Sequence, residues 1–285
     1  MLTAISVILR ICSNSVANLF QKKAAETDSP INANLWAYFY MSLFCAIPAL
    51  YVDWTQFTVE FWINVIIAGF LCTVGTISLI KALQIGELSV LAPINSYKSI
   101  IGLVGAFFLL GEIPSVKDLI CIFFIFIGSY FVLDTEKEKF SIKTFFRKDI
   151  RLRIFALLCS GIEASFLKNI ILMSDFKICL ILWCFSGFLC SLFIAVIFNK
   201  KIYQKAQFVT NSVKYYLPIG VSLLIMQLTT NYVFSKIEVG TALALFQLSS
   251  LVSLYFGYKY YKEKDICKKL FGTIIMIISA VLILL

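Results

Sequence analysis

Residues 87–117 read ELSVLAPINSYKSIIGLVGAFFLLGEIPSVK, and residues 238–268 read EVGTALALFQLSSLVSLYFGYKYYKEKDICK. At an offset of 151, Glu87 falls on Glu238, Glu112 on Glu263 and Lys117 on Lys268, and the apolar blocks between them coincide. The match extends without a gap over residues 60–134 and 211–285. Nearer the start of each copy the offset becomes 147, with Ile11-Cys12-Ser13-Asn14 on Leu158-Cys159-Ser160-Gly161. The change of offset falls in a loop, where insertions are tolerated. The chain therefore reads as two copies of one unit.

Composition assigns that unit to a bilayer. Apolar residues make up 60% of the chain and charged residues 14%, Phe alone contributes 27 residues, and mean hydropathy is +0.91. A soluble globular domain carries about 25% charged residues. The formal charge of +9 does not imply nucleic acid, because the basic residues gather in short loops beside apolar blocks, the pattern that encodes membrane orientation. Nine cysteines are scattered through apolar segments with no C-x-x-C pair, and histidine is absent. Zinc, haem and disulfide frameworks thus lack their usual ligands or spacing, and neither metal nor cofactor is expected. The N-terminus runs into an apolar stretch without a basic n-region, so it reads as the first span rather than a signal peptide.

Breaking the chain at Pro, Gly and charge clusters predicts ten spans, near 3–22, 34–51, 60–81, 88–110 and 116–134, then 153–173, 178–198, 214–236, 241–261 and 266–285. The expected fold is all-α and integral to the membrane, with residues 1–134 and 153–285 as five-helix repeats and 135–152 as a basic linker. Because five is odd, the second copy enters from the opposite side, which makes the repeat inverted. Loop charges, among them Lys22, Lys23 and the seven Lys/Arg of the linker through Arg153, favour both termini outside.

The run Pro93-Ile94-Asn95-Ser96-Tyr97 through Gly105 to Gly111-Glu112, followed by Asp118-Leu119 and Gly128, resembles the end of an EamA-type repeat of the drug/metabolite transporter superfamily. The second copy keeps Glu263 but has Lys262 for the glycine and Ala244 for Pro93. The resemblance implies a ten-helix secondary transporter whose central cavity is lined by both halves, with both termini in the cytoplasm. That last implication opposes the loop charges, so the side of the termini stays open.

Polar residues within the spans are the candidate site. A charge near the bilayer centre costs at least about 2.5–3.5 kcal/mol on insertion scales and marks function by default. Lys98 lies midway along the fourth span and Glu163 midway along the sixth, so the two can meet at the repeat interface, either across a solute or as an ion pair. Arg10 is nearer a span end and reads as snorkelling to the interface. Asn14 and Asn18 share a face of the first span, Thr73 and Thr76 of the third, and Gln227, Thr230 and Asn231 of the eighth. These stripes mark inward faces, because amides facing lipid would go unsatisfied. Substrate contacts are therefore expected from Lys98, Glu163, Asn14, Asn18, Thr76, Asn95, Gln227 and Asn231. Gly102 and Ala106 are spaced as small-x-x-x-small, and the offset carries them onto Ser253 and Gly257. Such spacing lets backbones approach, so the fourth and ninth helices are expected to cross and join the halves.

The expected function is secondary active transport, as exporter or permease, of a small polar or zwitterionic metabolite by alternating access in the plasma or inner membrane. Protons are a candidate coupling ion through Glu163, and the chain acts among lipids as a monomer or homodimer. No Walker motif accompanies the spans, and the lack of histidine, an Asp-rich motif or a sizeable catalytic loop argues against an enzyme. The alternative is a lipid-linked-sugar flippase subunit or a membrane scaffold that transports nothing.

Overall fold

A computed structural model of the chain describes residues 2–98, 100–101, 115–134, 142–198, 211–237 and 239–284. Regular structure among these residues is entirely helical. The helices are α1 Leu2–Thr27, α2 Pro30–Ala49, α3 Val59–Ile85, the single turn α4 Leu88–Leu91, α5 Val116–Leu133, α6 Lys148–Met173, α7 Phe176–Phe198, α8 Leu217–Lys236, α9 Val239–Phe246, α10 Ser249–Tyr261 and α11 Ile266–Leu284. Among the described residues, six stretches are long and apolar enough to cross a membrane: Leu2–Thr27, Val59–Ile85, Lys148–Met173, Phe176–Phe198, Ser212–Lys236 and Thr241–Tyr261. At about 1.5 Å per residue, the 26 residues of α1 exceed the roughly 30 Å hydrocarbon core.

Local signals set several helix ends. Ser29 caps α2, its Oγ accepting from the Asn32 N–H at 3.1 Å with Pro30 in the first turn. Thr58 caps α3 in the same way. Asp175 accepts from the N–H groups of Lys177 and Ile178 at the start of α7.

The helices turn their polar sides inward. On α1, Ser13, Ser15, Asn18 and Gln21 are buried, whereas Ile8 on the same helix is 61% exposed. Ile47, Ile66, Phe123, Phe193 and Val196 likewise face outward, forming the apolar surface that a lipid-embedded bundle requires. The protein is an integral, multi-pass membrane protein.

Packing follows the sequence offset. α1 lies along α8 and α3 along α6, while α2 packs on α7 and α5 on α11. Exchanging the two copies converts the first of these pairs into the second and leaves the other two unchanged. Glycines make the close approaches possible. A methyl at Gly69 would lie 2.5 Å from Ser186 Oγ on α7, and one at Gly220, its counterpart at the offset of 151, would lie 3.1 Å from the Ala37 carbonyl oxygen on α2. Where α5 crosses α11, a methyl at Gly128 would lie 2.7 Å from the Gly272 carbonyl oxygen.

The fourth and ninth segments, expected to be continuous, are both broken. In the first copy α4 stops at Leu91 and Pro93–Ser96 forms a 3-10 turn before helix resumes at Tyr97. Pro93 has no N–H to continue an α-helical ladder and its ring clashes with the preceding turn. In the second copy Ala244 replaces the proline, and the break falls at Gln247–Leu248, where Gln247 N bonds the Ala244 carbonyl at 3.2 Å. Ser249 Oγ takes the Phe246 carbonyl at 2.8 Å, the local side-chain competition that loosens a helix.

A buried corner holds α4 in place. Glu263, between α10 and α11, accepts from the Leu88 and Ser89 N–H groups at 2.8 Å each and pairs with Lys22 at 3.1 Å. Lys22 also donates to the Gly86 carbonyl at 2.9 Å, and Lys269 pairs with Glu87 at 2.6 Å. Burial alone would raise the Glu263 pKa, but Lys22 and the Ser89 and Leu88 donors outweigh it and hold the carboxyl below its ordinary value. Glu112 and Glu238 lie outside the described residues. Lys262 ends α10 in the left-handed region, at φ 49°, the position filled by Gly111 in the first copy.

The sixth helix begins earlier than expected. α6 starts at Lys148 rather than 153, after a 3-10 turn at Ile142–Phe146. Asp149 in its first turn receives Arg147 Nε at 3.1 Å and Nη2 at 2.7 Å, so residues that resembled linker are the first turn of a helix with a carboxylate near its N-terminus.

Candidate functional site

A cavity of about 160 Å³ lies between the halves. α1 contributes Arg10, Asn14, Asn18 and Gln21, and α3 contributes Cys72 and Thr76. Asn95 and Lys98 come from the break after α4 and its helical continuation; Arg153, Ser160 and Glu163 come from α6. Trp183 of α7, Gln227 and Thr230 of α8, and Phe246 and Gln247 at the second break complete the polar and aromatic wall.

Seven of the eight expected contact residues thus line one space: Lys98, Glu163, Asn14, Asn18, Thr76, Asn95 and Gln227. Asn231 stands behind it. Fully buried, it accepts from Gln227 Nε2 at 2.8 Å and donates to the Phe176 carbonyl at 3.2 Å, which orients Gln227 rather than adding to the wall.

Glu163 is buried and its Oε1 receives the Trp183 indole N–H at 2.8 Å. Lys98 lies within electrostatic reach of Glu163, Arg10 and Arg153, yet among the described residues it closes no ion pair. The two charges therefore share the cavity without neutralising each other by contact.

Two cationic residues were not expected here. Arg10 does not snorkel: its guanidinium stacks 4.2 Å from the Phe246 ring centroid and lines the cavity. Arg153, read as the end of the basic linker, is buried within α6. Its Nε donates to the Leu91 carbonyl at 3.0 Å and its Nη2 to Asn95 Oδ1 at 3.2 Å. It thereby satisfies backbone freed at the first break, a need that unwound helices in a membrane must meet. Helical spacing carried a signal for both residues. Arg10 lies four residues before Asn14 and extends its stripe through Asn18 to Gln21, while Arg153 continues the face of Ser160 and Glu163.

The two breaks meet beside the cavity. Asn95 Nδ2 donates to Gln247 Oε1 at 2.9 Å, and Ser250 Oγ donates to the Ala92 carbonyl at 3.1 Å. α1 is tied to the second break, with Asn14 Nδ2 donating to Ser249 Oγ at 3.3 Å and Ser15 Oγ to the Ser249 carbonyl at 2.9 Å.

Of the expected crossing residues, Gly102 and Ala106 lie outside the described residues. Ser253 faces α1, donating to Ser15 Oγ at 3.2 Å. A methyl at Gly257 would lie 3.2 Å from Ser89 Cβ, so Gly257 packs at the buried corner.

Comparisons with known proteins agree with this architecture. A solved structure titled "Crystal structure of protein" superposes with a TM-score of 0.57 at 9% identity, covering 98% of this chain and 96% of its own; at that identity the likeness is one of fold alone. No curated protein matches the chain. Residues 1–134, just under half of the chain, match the model of the EamA-like transporter family.

Proposed function

We propose that the protein is a secondary transporter built from two inverted five-helix repeats, residues 1–134 and 153–285 joined by 135–152, working in the plasma or inner membrane. It moves a small polar solute by alternating access about the central cavity. One observation carries this reading: polar groups from both sequence halves, Lys98 and Glu163 among them, converge on one cavity beside two broken helices. Discontinuous helices at matching positions of two repeats are the recurrent site-building device of secondary transporters. A scaffold that transports nothing gains nothing from polar groups in the membrane interior, since each is expensive to insert.

In this reading Lys98 takes an anionic group of the solute, Glu163 is the candidate proton site, and Asn14, Asn18, Thr76, Asn95 and Gln227 supply hydrogen bonds. The test is flux in liposomes containing the purified protein, measured at several pH values. Wild-type protein is expected to exchange labelled solute, and Lys98→Ala to abolish exchange. Flux that ignores pH and survives Glu163→Gln unchanged would remove proton coupling through that residue. A protein that moves only lipid-linked sugars, and no water-soluble solute, would be the flippase alternative.

A further inference from the structure

We infer that the cavity is a site for a small organic dianion, bearing two carboxylates or a phosphomonoester, held by Arg10, Lys98 and Arg153. This rests on the transporter reading and names the substrate class of that same cavity.

Among the described residues three cationic side chains line the cavity and Glu163 is its one carboxylate, which leaves a net charge of +2. Arg153 is fixed by neutral partners, the Leu91 carbonyl and Asn95 Oδ1, so its charge stays uncompensated. Arg10 has the greater need: among the described residues its buried Nε and Nη1 have no hydrogen-bond partner, and its guanidinium lies 4.2 Å from the Phe246 ring centroid. A guanidinium offers a planar fork that matches two oxygens of a carboxylate or phosphate. Gln247 Nε2 is a further buried donor without a partner.

Like charges gathered out of water repel and lack hydration. Something anionic must therefore occupy the space for the cluster to be favourable, and Glu163 offsets only one charge of the three. A monoanion would leave the cavity positive, and a zwitterion would return its added positive charge to it. A dianion balances it. The volume of about 160 Å³ is close to the roughly 150 Å³ of a cavity that admits benzene, which suits a small organic solute. Gln21 Oε1, buried and without a donor, suits a hydroxyl on such a solute.

The test is binding to the full-length protein in nanodiscs at low chloride, read by thermal unfolding and by titration calorimetry. The probes are succinate, glycerol phosphate, acetate, alanine and putrescine. Succinate or glycerol phosphate is expected to raise the unfolding temperature and to bind at least about tenfold more tightly than acetate or alanine; whichever is tighter distinguishes the dicarboxylate from the phosphomonoester. Arg10→Gln should weaken dianion binding roughly 30-fold, the loss typical of removing one partner of a desolvated charge pair, and Arg10→Lys should restore part of it. The wild-type ranking decides the matter even if a variant fails to fold. Tighter binding of putrescine or alanine, or no binding of any dianion, overturns the inference. Flux in liposomes separates it from the transporter reading. Dianion binding without flux sinks transport and leaves the site, whereas flux of a neutral or cationic solute without dianion binding sinks the site and leaves transport.

Discussion

Two regions of this membrane protein bury charge, and they handle it in opposite ways. At the corner between α1, α4 and α11, Lys22 and Lys269 each meet a carboxylate, and Glu263 fills its lone pairs with the first N–H groups of α4. In the cavity Arg10 has donors without acceptors and Lys98 has no ion pair among the described residues. The first arrangement fixes architecture, because removing either partner strands the other out of water. The second holds electrostatic energy that only a ligand can release.

The comparison is easiest to break at the corner. Glu263→Ala leaves Lys22 uncompensated and the α4 N–H groups unmet, and should lower stability by about 3–5 kcal/mol, measured by thermal unfolding in nanodiscs. The same pair fixes a pH dependence. Since the folded pKa of Glu263 lies below its ordinary 4.5, the stabilisation is complete above that value and is lost as pH falls through the lower folded value. Unfolding temperature should therefore drop on acidification below about pH 4.5, and Glu263→Ala should flatten that drop.

A crossing without charge is next in size. Gly128→Val forces a side chain into the Gly272 backbone across α5 and α11 and should destabilise by about 1–3 kcal/mol, with little effect on ligand affinity. In the cavity the sign reverses. Arg10→Met removes a charge that the protein alone does not satisfy, so the ligand-free protein should keep its stability or gain about 1 kcal/mol, while stabilisation by a dianion disappears. If Arg10→Met instead destabilises the ligand-free protein as strongly as Glu263→Ala does, the distinction between the two regions fails. The smallest effect is expected at exposed Lys262, whose left-handed backbone suits glycine; Lys262→Gly should stabilise by about 1 kcal/mol.

Much of this was legible in the residues, and the failures have physical causes. The offset of 151 anticipated which helices correspond, and the amide stripes anticipated their inward faces. Lys98 and Glu163 were visible because a charge deep in an apolar run has no ordinary explanation. Arg10 and Arg153 were not, because a cation near a helix end is normally topogenic and because polar residues 147–153 look like linker although they begin a helix at whose start Arg147 pairs with Asp149. The break at Pro93 was not anticipated, although proline chemistry accounts for it. The break at Gln247 carries no such residue, and tertiary bonds from Asn14 and Ser15 to Ser249 hold it. Asn231 showed a correct inward direction but the wrong depth, which periodicity along one helix does not encode.

The left-handed turn at Lys262 has a wider meaning for how such chains are recognised. At the repeat offset the first copy has glycine where the second has lysine, and the lysine adopts the left-handed conformation that glycine makes easy. The family pattern matches residues 1–134, whereas superposition on a solved structure covers 98% of the chain at 9% identity. Likeness of fold therefore reaches further along this chain than likeness of residues does.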